Sequence, residues 1–189
     1  FHVVFTLPKE LRPIALRNKK VVYALLFKAA SSTLLTLSRD PKHLGAEIGV
    51  TAVLHTWGQN LGFHPHLHCV VTGGGLALDG SRWKPGRQHY LLPLNVLSKL
   101  FRGRFLAGLQ RARDEGRLNL SGSTEELSDP MRWAALRDTL YRTKWNTYAK
   151  RPFGGPEQAL RYLGSYTHRV AISDHRLVAM QDGKVSFSY

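Results

Sequence analysis

The sequence predicts an α+β domain with a mainly antiparallel sheet, and three observations predict it. Runs of β-branched and aromatic residues alternate with longer stretches of helical spacing. Adjacent β-rich runs are joined by short Gly-, Asn- or Asp-containing turns, as in antiparallel sheets. The 189 residues, 43% hydrophobic and 21% charged, suffice for one globular domain, 1–189, with a real core.

Taken in order, residues 1–7 alternate as a strand that Pro8 ends. From about Ile14 to Leu37 apolar residues recur at helical spacing, Val21, Val22, Leu25, Leu26 and Ala29 among them. Asp40-Pro41 breaks that helix. Two β-rich runs, 48–57 and 64–72, flank Gly58-Gln59-Asn60-Leu61-Gly62. Shorter runs follow at 75–78 and 89–92, with Asp79-Gly80 as one turn and Gly73-Gly74-Gly75 as another. Helical patterns return at 94–115 and 131–149, and the Ser-, Asn-, Gly- and Asp-rich stretch 118–130 between them reads as a mobile loop. Pro152, Gly154, Gly155 and Pro156 make a last break before a helix that carries Tyr162 and Tyr166. Asp182-Gly183 then closes a hairpin between 177–180 and 185–189.

Composition narrows the function classes. Lys+Arg number 27 against 13 Asp+Glu, a net charge of +14 with a pI near 10.3. Such an excess suits a polyanion, because each cation placed on a phosphate releases condensed counterions. An acidic partner would also neutralise it, and charge alone does not separate DNA from RNA or anionic lipid. The one cysteine, Cys69, excludes a disulfide framework and any Cys-based zinc site within these residues. It reads as a small buried apolar residue, and a reducing cytoplasm is the default compartment. No apolar run approaches the roughly 18 residues of a membrane span, so no membrane is expected as partner. No signal peptide opens the chain; lacking an initiator Met and ending inside a hairpin, it reads as a piece of a longer protein. Gly-rich phosphate loops, a dinucleotide fingerprint and a Ser nucleophile elbow are all missing from the sequence.

The run His64-Pro65-His66-Leu67-His68 sits in the second β-rich segment. On a strand, alternate side chains share a face, so His66 and His68 project together. A hairpin centred near Asn60–Leu61 sets His55 opposite His66, and a two-residue slip that keeps the face sets it opposite His68. Either register gathers three imidazoles, a donor set suited to a divalent metal with open positions. No Asp or Glu occurs between Glu47 and Asp79, so the charge of an ion here would stay available to a phosphate oxygen. The bland alternative is a polar strand without metal. His64 suits a contact to phosphate or to a ligand, or plain solvation, better than ligation.

Tyr162 and Tyr166 lie four apart, one helical turn or about 6 Å of rise, and so on one face. Two phenols so placed could serve as nucleophiles on phosphodiesters, or pack on a core. Thr167-His168-Arg169 adds groups able to touch phosphate. Arg142, Lys144, Trp145, Tyr148, Lys150 and Arg151 interleave cations with aromatics, as unpaired strands favour; an amphipathic helix with a solvated face would look the same. Trp57 and Trp83 read as core or hairpin packing.

Together these residues resemble the HUH (His-hydrophobic-His) endonucleases, and in particular the two-tyrosine rolling-circle transposases of bacterial insertion sequences, the insertion-sequence ninety-one family. Phe5-Thr6-Leu7-Pro8 resembles the family's first motif, and His64-Pro65-His66-Leu67-His68 its HUH motif. The stretch from Tyr148 to Gly155 resembles the segment before the tyrosines, and that from Tyr162 to Ser173 the catalytic-tyrosine motif. The resemblance implies a ferredoxin-like or RNA-recognition-like antiparallel sheet, the HUH strand central and helices on one face. It implies His66 and His68 as metal ligands, with His55 as the third by similarity to relaxases, and Tyr162 and Tyr166 as nucleophiles. The implied cofactor is Mg²⁺ or Mn²⁺, and the implied partner is single-stranded DNA at element ends; from their charge and placement, Lys144, Lys150, Arg151, His168 and Arg169 are the residues expected to contact it. Flanking zinc-binding segments of full-length relatives fall outside these residues. A bacterial cytoplasmic, nucleoid-associated protein follows, and a plasmid relaxase, a replication initiator or a silent strand-binding module are the competing readings.

Overall fold

The computed structural model describes residues 1–58, 62–87, 92–150, 155, 157, 158, 161, 164 and 176–188. Its centre is β3 (Phe63–Ala77), hydrogen-bonded on one side to β2 (Ala46–Trp57) and on the other to β1 (His2–Thr6), both antiparallel. β5 (Thr147–Lys150) pairs antiparallel with the far edge of β1, giving the order β2-β3-β1-β5, and β4 (Trp83–Pro85) pairs with the end of β3. With the helices between β1 and β2 and between β3 and β5, this is the ferredoxin-like arrangement, and the strand bearing His66 and His68 is central.

Alternation along each strand decides the faces. Val3, Phe5, Leu67, Cys69 and Val71 are all buried on the side where the helices pack. There α2 (Lys19–Arg39) places Val22, Leu26, Ala29, Ala30, Thr33, Leu34 and Leu37, a stripe at helical spacing, against β2 and β3. The helix α3 (Leu94–Asp114) lies beside α2 and drives Phe101 onto Phe5, ring centroids 4.7 Å apart, with Trp145 against Phe101 and Phe105. By length and composition α2 could cross a membrane, with mean hydropathy 1.5 in its most apolar window, although no uninterrupted apolar run marks it in the sequence. Its apolar stripe is spent on this core instead.

Four local expectations are corrected. The first helical stretch is two helices, α1 (Arg12–Arg17) and α2, because Asn18 leaves helical geometry at φ −120°, ψ 42°. Its side-chain amide donates to the Ile14 carbonyl and across to the Asn119 carbonyl, while the Asn119 N–H donates back to Oδ1 at 2.7 Å. That cross-link ties down the stretch read as a mobile loop, which holds a 3₁₀ helix, Gly122–Ser128, with Thr124 fully buried. The glycines 73–75 do not turn: they lie within β3, and a Cβ on Gly75 would stand 2.5 Å from the Glu47 carbonyl oxygen. Finally, the helix read over 131–149 ends early. The carboxylate of Asp129 caps α4 (Pro130–Arg142) at its start, and the chain then leaves the helix at Thr143 so that Trp145 can enter the core and 147–150 can pair with β1.

The run read at 89–92 lies almost wholly outside the described residues. The last hairpin is as expected, β6 (Leu177–Gln181) with β7 (Lys184–Phe187), turned by Asp182 and Gly183, both at positive φ. Phe101 is the element of the core most exposed to test: fully buried between sheet and helix, its replacement in Phe101→Ala is expected to cost about 3–5 kcal/mol. Urea denaturation should show a lower midpoint at unchanged slope.

Candidate metal centre

The face of the sheet turned away from the helices carries the histidines. In β2 and β3 the hairpin register sets His55 directly opposite His66, the first of the two registers the sequence allows. His68 follows two residues on, and the three rings lie 4.6–5.5 Å apart between centroids. One nitrogen from each can be chosen so that all three lie within 4.8 Å of one another, a group able to hold a metal ion. His55 and His68 are buried and His66 is half-buried.

Neighbouring groups fix the rings. The Nδ1–H of His66 donates to the His64 carbonyl at 2.7 Å, which turns Nε2 toward the cluster as the free lone pair. Trp57 stacks on His55 with ring planes 6° apart, so it serves the site as well as the hairpin. His68 Nδ1 is 2.9 Å from Nε2 of His2, whose ring stacks parallel to that of His68. His2 is the residue that reading the sequence missed. Its place on the first strand is legible, but only the β1–β3 register, Val4 opposite His68, brings it to the cluster.

Beyond His2 the same face continues onto β5. Lys150 lies opposite His2 and Tyr148 opposite Val4, the Tyr148 ring meeting His2 edge-on at 5.9 Å. On the other side of His66, its neighbour His64 accepts a hydrogen bond at Nδ1 from the Arg12 guanidinium, 3.1 Å away. Arg12 and His64 line a groove of about 270 Å³ with Lys9, Glu10, Lys144 and Asn146. Lys144 thus shares a groove with His64, and Lys150 stands opposite His2. Trp145 is buried in the core and cannot stack on a strand, contrary to the interleaved pattern; Tyr148 stays exposed. Arg151, Tyr162, Tyr166, His168 and Arg169 lie outside the described residues.

The surroundings favour the neutral form of His2, His64 and His66. Burial, then Lys150 and the N-terminal ammonium, lower His2 to about 4. Burial, His66 and Arg12 lower His64; burial lowers His66 against the opposing pull of its bond to the His64 carbonyl. Cys69, on the opposite face, is pushed up to about 12 by burial and is an unreactive core thiol, as its sequence position suggests. Neutral imidazoles keep the lone pairs that a metal needs.

Residues 49–189 match the model of the Y2_Tnp family, described as "Putative transposase". The chain belongs to this transposase family. It is 52% identical over all 189 residues to "Putative transposase y4qJ" of Sinorhizobium fredii, of which it covers 48%. It is also 29% identical over 202 aligned positions to the transposase for insertion sequence element IS801 of Pseudomonas savastanoi pv. phaseolicola, covering 44% of that protein. This transposase-family chain therefore spans about half the length of the curated relatives it matches. Among solved structures, the metal-bound conjugative relaxase TrwC in complex with oriT DNA overlays 86% of the chain and 68% of its own at TM-score 0.47 and 14% identity. The same relaxase with a mutant oriT DNA gives 0.44 over 85% and 69%, again at 14% identity. Likeness at that level carries no argument about chemistry.

The neutral His2 has a consequence for stability. Native His2 takes up a proton near pH 4, the unfolded one near 6.5, so between those values the unfolded state binds more protons. Its contribution is therefore fully present above about pH 6.5 and is lost as pH falls toward 4. Urea midpoints measured in steps across that window should fall with acidity in the parent, and His2→Gln should flatten part of the fall.

Proposed function

We propose that this chain carries the catalytic core of a rolling-circle transposase, which cuts and rejoins single-stranded DNA at element ends through a covalent 5′-phosphotyrosine. The reading rests above all on one observation: His55, His66 and His68 meet on one sheet face in a chain of a transposase family. It concerns the domain, since the relatives are about twice as long.

The donor set fits a divalent cation. All three donors are imidazoles, no carboxylate lies between Glu47 and Asp79 in the chain, and His66 already has Nδ1 engaged elsewhere. A proton on Nδ1 of His68, donated to Nε2 of His2, would leave its Nε2 for the ion as well. Mg²⁺ or Mn²⁺ held there would supply Lewis-acid polarisation of the scissile phosphate, worth several kcal/mol.

The remaining work falls to the chain. In the proposed step the phenolic oxygen of Tyr162 or Tyr166 bonds to phosphorus and the bond from phosphorus to the 3′ oxygen breaks. The 3′ oxygen leaves as a hydroxyl once it has taken a proton, and the other tyrosine is left to attack the next junction. A phenol of ordinary pKa near 10 is mostly neutral at pH 7, so a base must take its proton or a nearby cation must stabilise the phenolate. Lys150, on the imidazole face, and His168 and Arg169, four residues or fewer beyond Tyr166, are the candidates. Lys144, in the groove beside His64, together with Arg12 and Arg151, suits contacts to the strand's phosphates. The proposed setting is the bacterial nucleoid.

Incubation with labelled single-stranded DNA bearing an element end, in Mg²⁺ or Mn²⁺, should give a covalent protein–DNA band. The expected result is that the band vanishes in Tyr162→Phe/Tyr166→Phe, on chelation, and in His66→Ala. A band that survives the double tyrosine substitution overturns the nucleophile assignment; one that survives chelation overturns the metal.

A further inference from the structure

The cationic surplus is not confined to the histidine face. On the helix layer, across the sheet from the imidazoles, α2 and α3 carry nine Lys and Arg between them and a single carboxylate, Asp114. Several of these cations have structural duties: Arg39 pairs with Glu47, Arg102 donates to the Tyr141 carbonyl, and Arg113 donates to the Ser128 carbonyl and covers Trp133. Others line a groove of about 310 Å³ between the two helices.

Its walls follow helical spacing. Leu25, Lys28, Ala29 and Ser32 form a stripe on α2, and Arg104, Ala107, Gly108 and Arg111 one on α3, with Arg117 at the end. The small residues make a trough: a Cβ on Gly108 would stand 2.7 Å from Leu25 Cδ2, so the helices touch there without filling the space above. Lys28 and Arg111 are exposed, and among the described residues neither side chain has a hydrogen-bond or ionic partner. Arg104 donates through Nη2 to Thr36, while its Nη1 is buried with no acceptor. Of the two acids at the end of α3, Glu115 pairs with Arg117 and Asp114 accepts from Gln110.

We propose that this groove is a second binding site for a DNA phosphate backbone, holding a segment other than the strand at the imidazoles. Arg104 and Arg111 are two turns apart, about 10 Å along α3, farther than one phosphate group reaches, so a chain of phosphates fits and a lone ion does not. The proposal rests on reading the chain as a DNA-binding domain and not on the tyrosine chemistry. A domain that grips DNA on both faces of its sheet could hold the cut strand on one side and flanking DNA on the other.

The test is equilibrium binding in chelator, so that no metal and no cleavage enter. Fluorescence anisotropy would follow one oligonucleotide of about 8 nucleotides and one of about 40, at several salt concentrations. Lys28→Gln/Arg111→Gln alters only exposed side chains; Arg104→Gln is the second variant, with circular dichroism to confirm its fold. The double variant should bind the long oligonucleotide about tenfold more weakly, its salt slope smaller by roughly 1.4 for two lost phosphate contacts, and the short one unchanged. Unchanged affinity and slope for the long DNA would overturn the proposal. Equal loss with the short oligonucleotide would do so too, since the groove would then not be a separate site. A poly-glutamate peptide that binds the parent, loses affinity in the variants and leaves DNA binding untouched would assign the groove to an acidic protein partner instead. Absence of the covalent band would leave this result intact, so the two readings fail separately.

Discussion

Everything at this site depends on the position of β3 between β1 and β2. A strand paired on both sides cannot slip or rotate, and its period of two sends Leu67, Cys69 and Val71 into the helix-covered core. His66 and His68 are therefore forced to the other face, and both neighbours bring histidines to meet them, His55 from β2 and His2 from β1. Apolar burial on one face thus sets the imidazoles on the other. A one-residue slip would exchange the two sets, burying two imidazoles under the helices and breaking both site and core.

The electrostatics follow from the same geometry. Packing five histidines together with Lys150 and Arg12 nearby would be costly if the rings were charged; burial lowers His2, His64 and His66, with Lys150 adding to the shift at His2 and Arg12 to that at His64. Hydrogen bonds then set which nitrogen faces inward: His66 is held by a backbone carbonyl, His68 by His2. The result is an electron-rich pocket of imidazoles, bordered by Lys150 on one strand and by Arg12, Lys144 and Glu10 in the groove beside His64. Such a site suits an ion that must remain attractive to phosphate.

How much of this was legible in the sequence varies with the range of the interaction. Alternation and turn residues are local, so β1, β2 and the histidine face could be read directly, while the partner of His55 was narrowed only to His66 or His68, and the structure takes His66. Position in a sheet is not local, and His2 was missed because only the antiparallel pairing of β1 with a strand some 65 residues away brings it to His68. The glycines at 73–75 looked like a turn because glycine permits one; the structure needs two of them, Gly74 and Gly75, because the Lys84 and Glu47 carbonyls leave no room for Cβ atoms there. Helical spacing ran on past Arg142, but burial of Trp145 against Phe101 and the free edge of β1 outweighed it. Likewise the polar composition of 118–130 suggested mobility, while one asparagine, Asn18, anchors it through two backbone groups.

What must hold for this site is that the imidazoles of His55, His66 and His68, from two strands, bind one divalent ion. Crystals of the protein soaked in Mn²⁺ and measured at the manganese absorption edge test it most directly. One strong anomalous peak is expected within bonding distance of nitrogens of His55, His66 and His68, and its loss in His66→Ala. A map without a peak at the cluster, or with manganese bound only at carboxylates elsewhere, would contradict it.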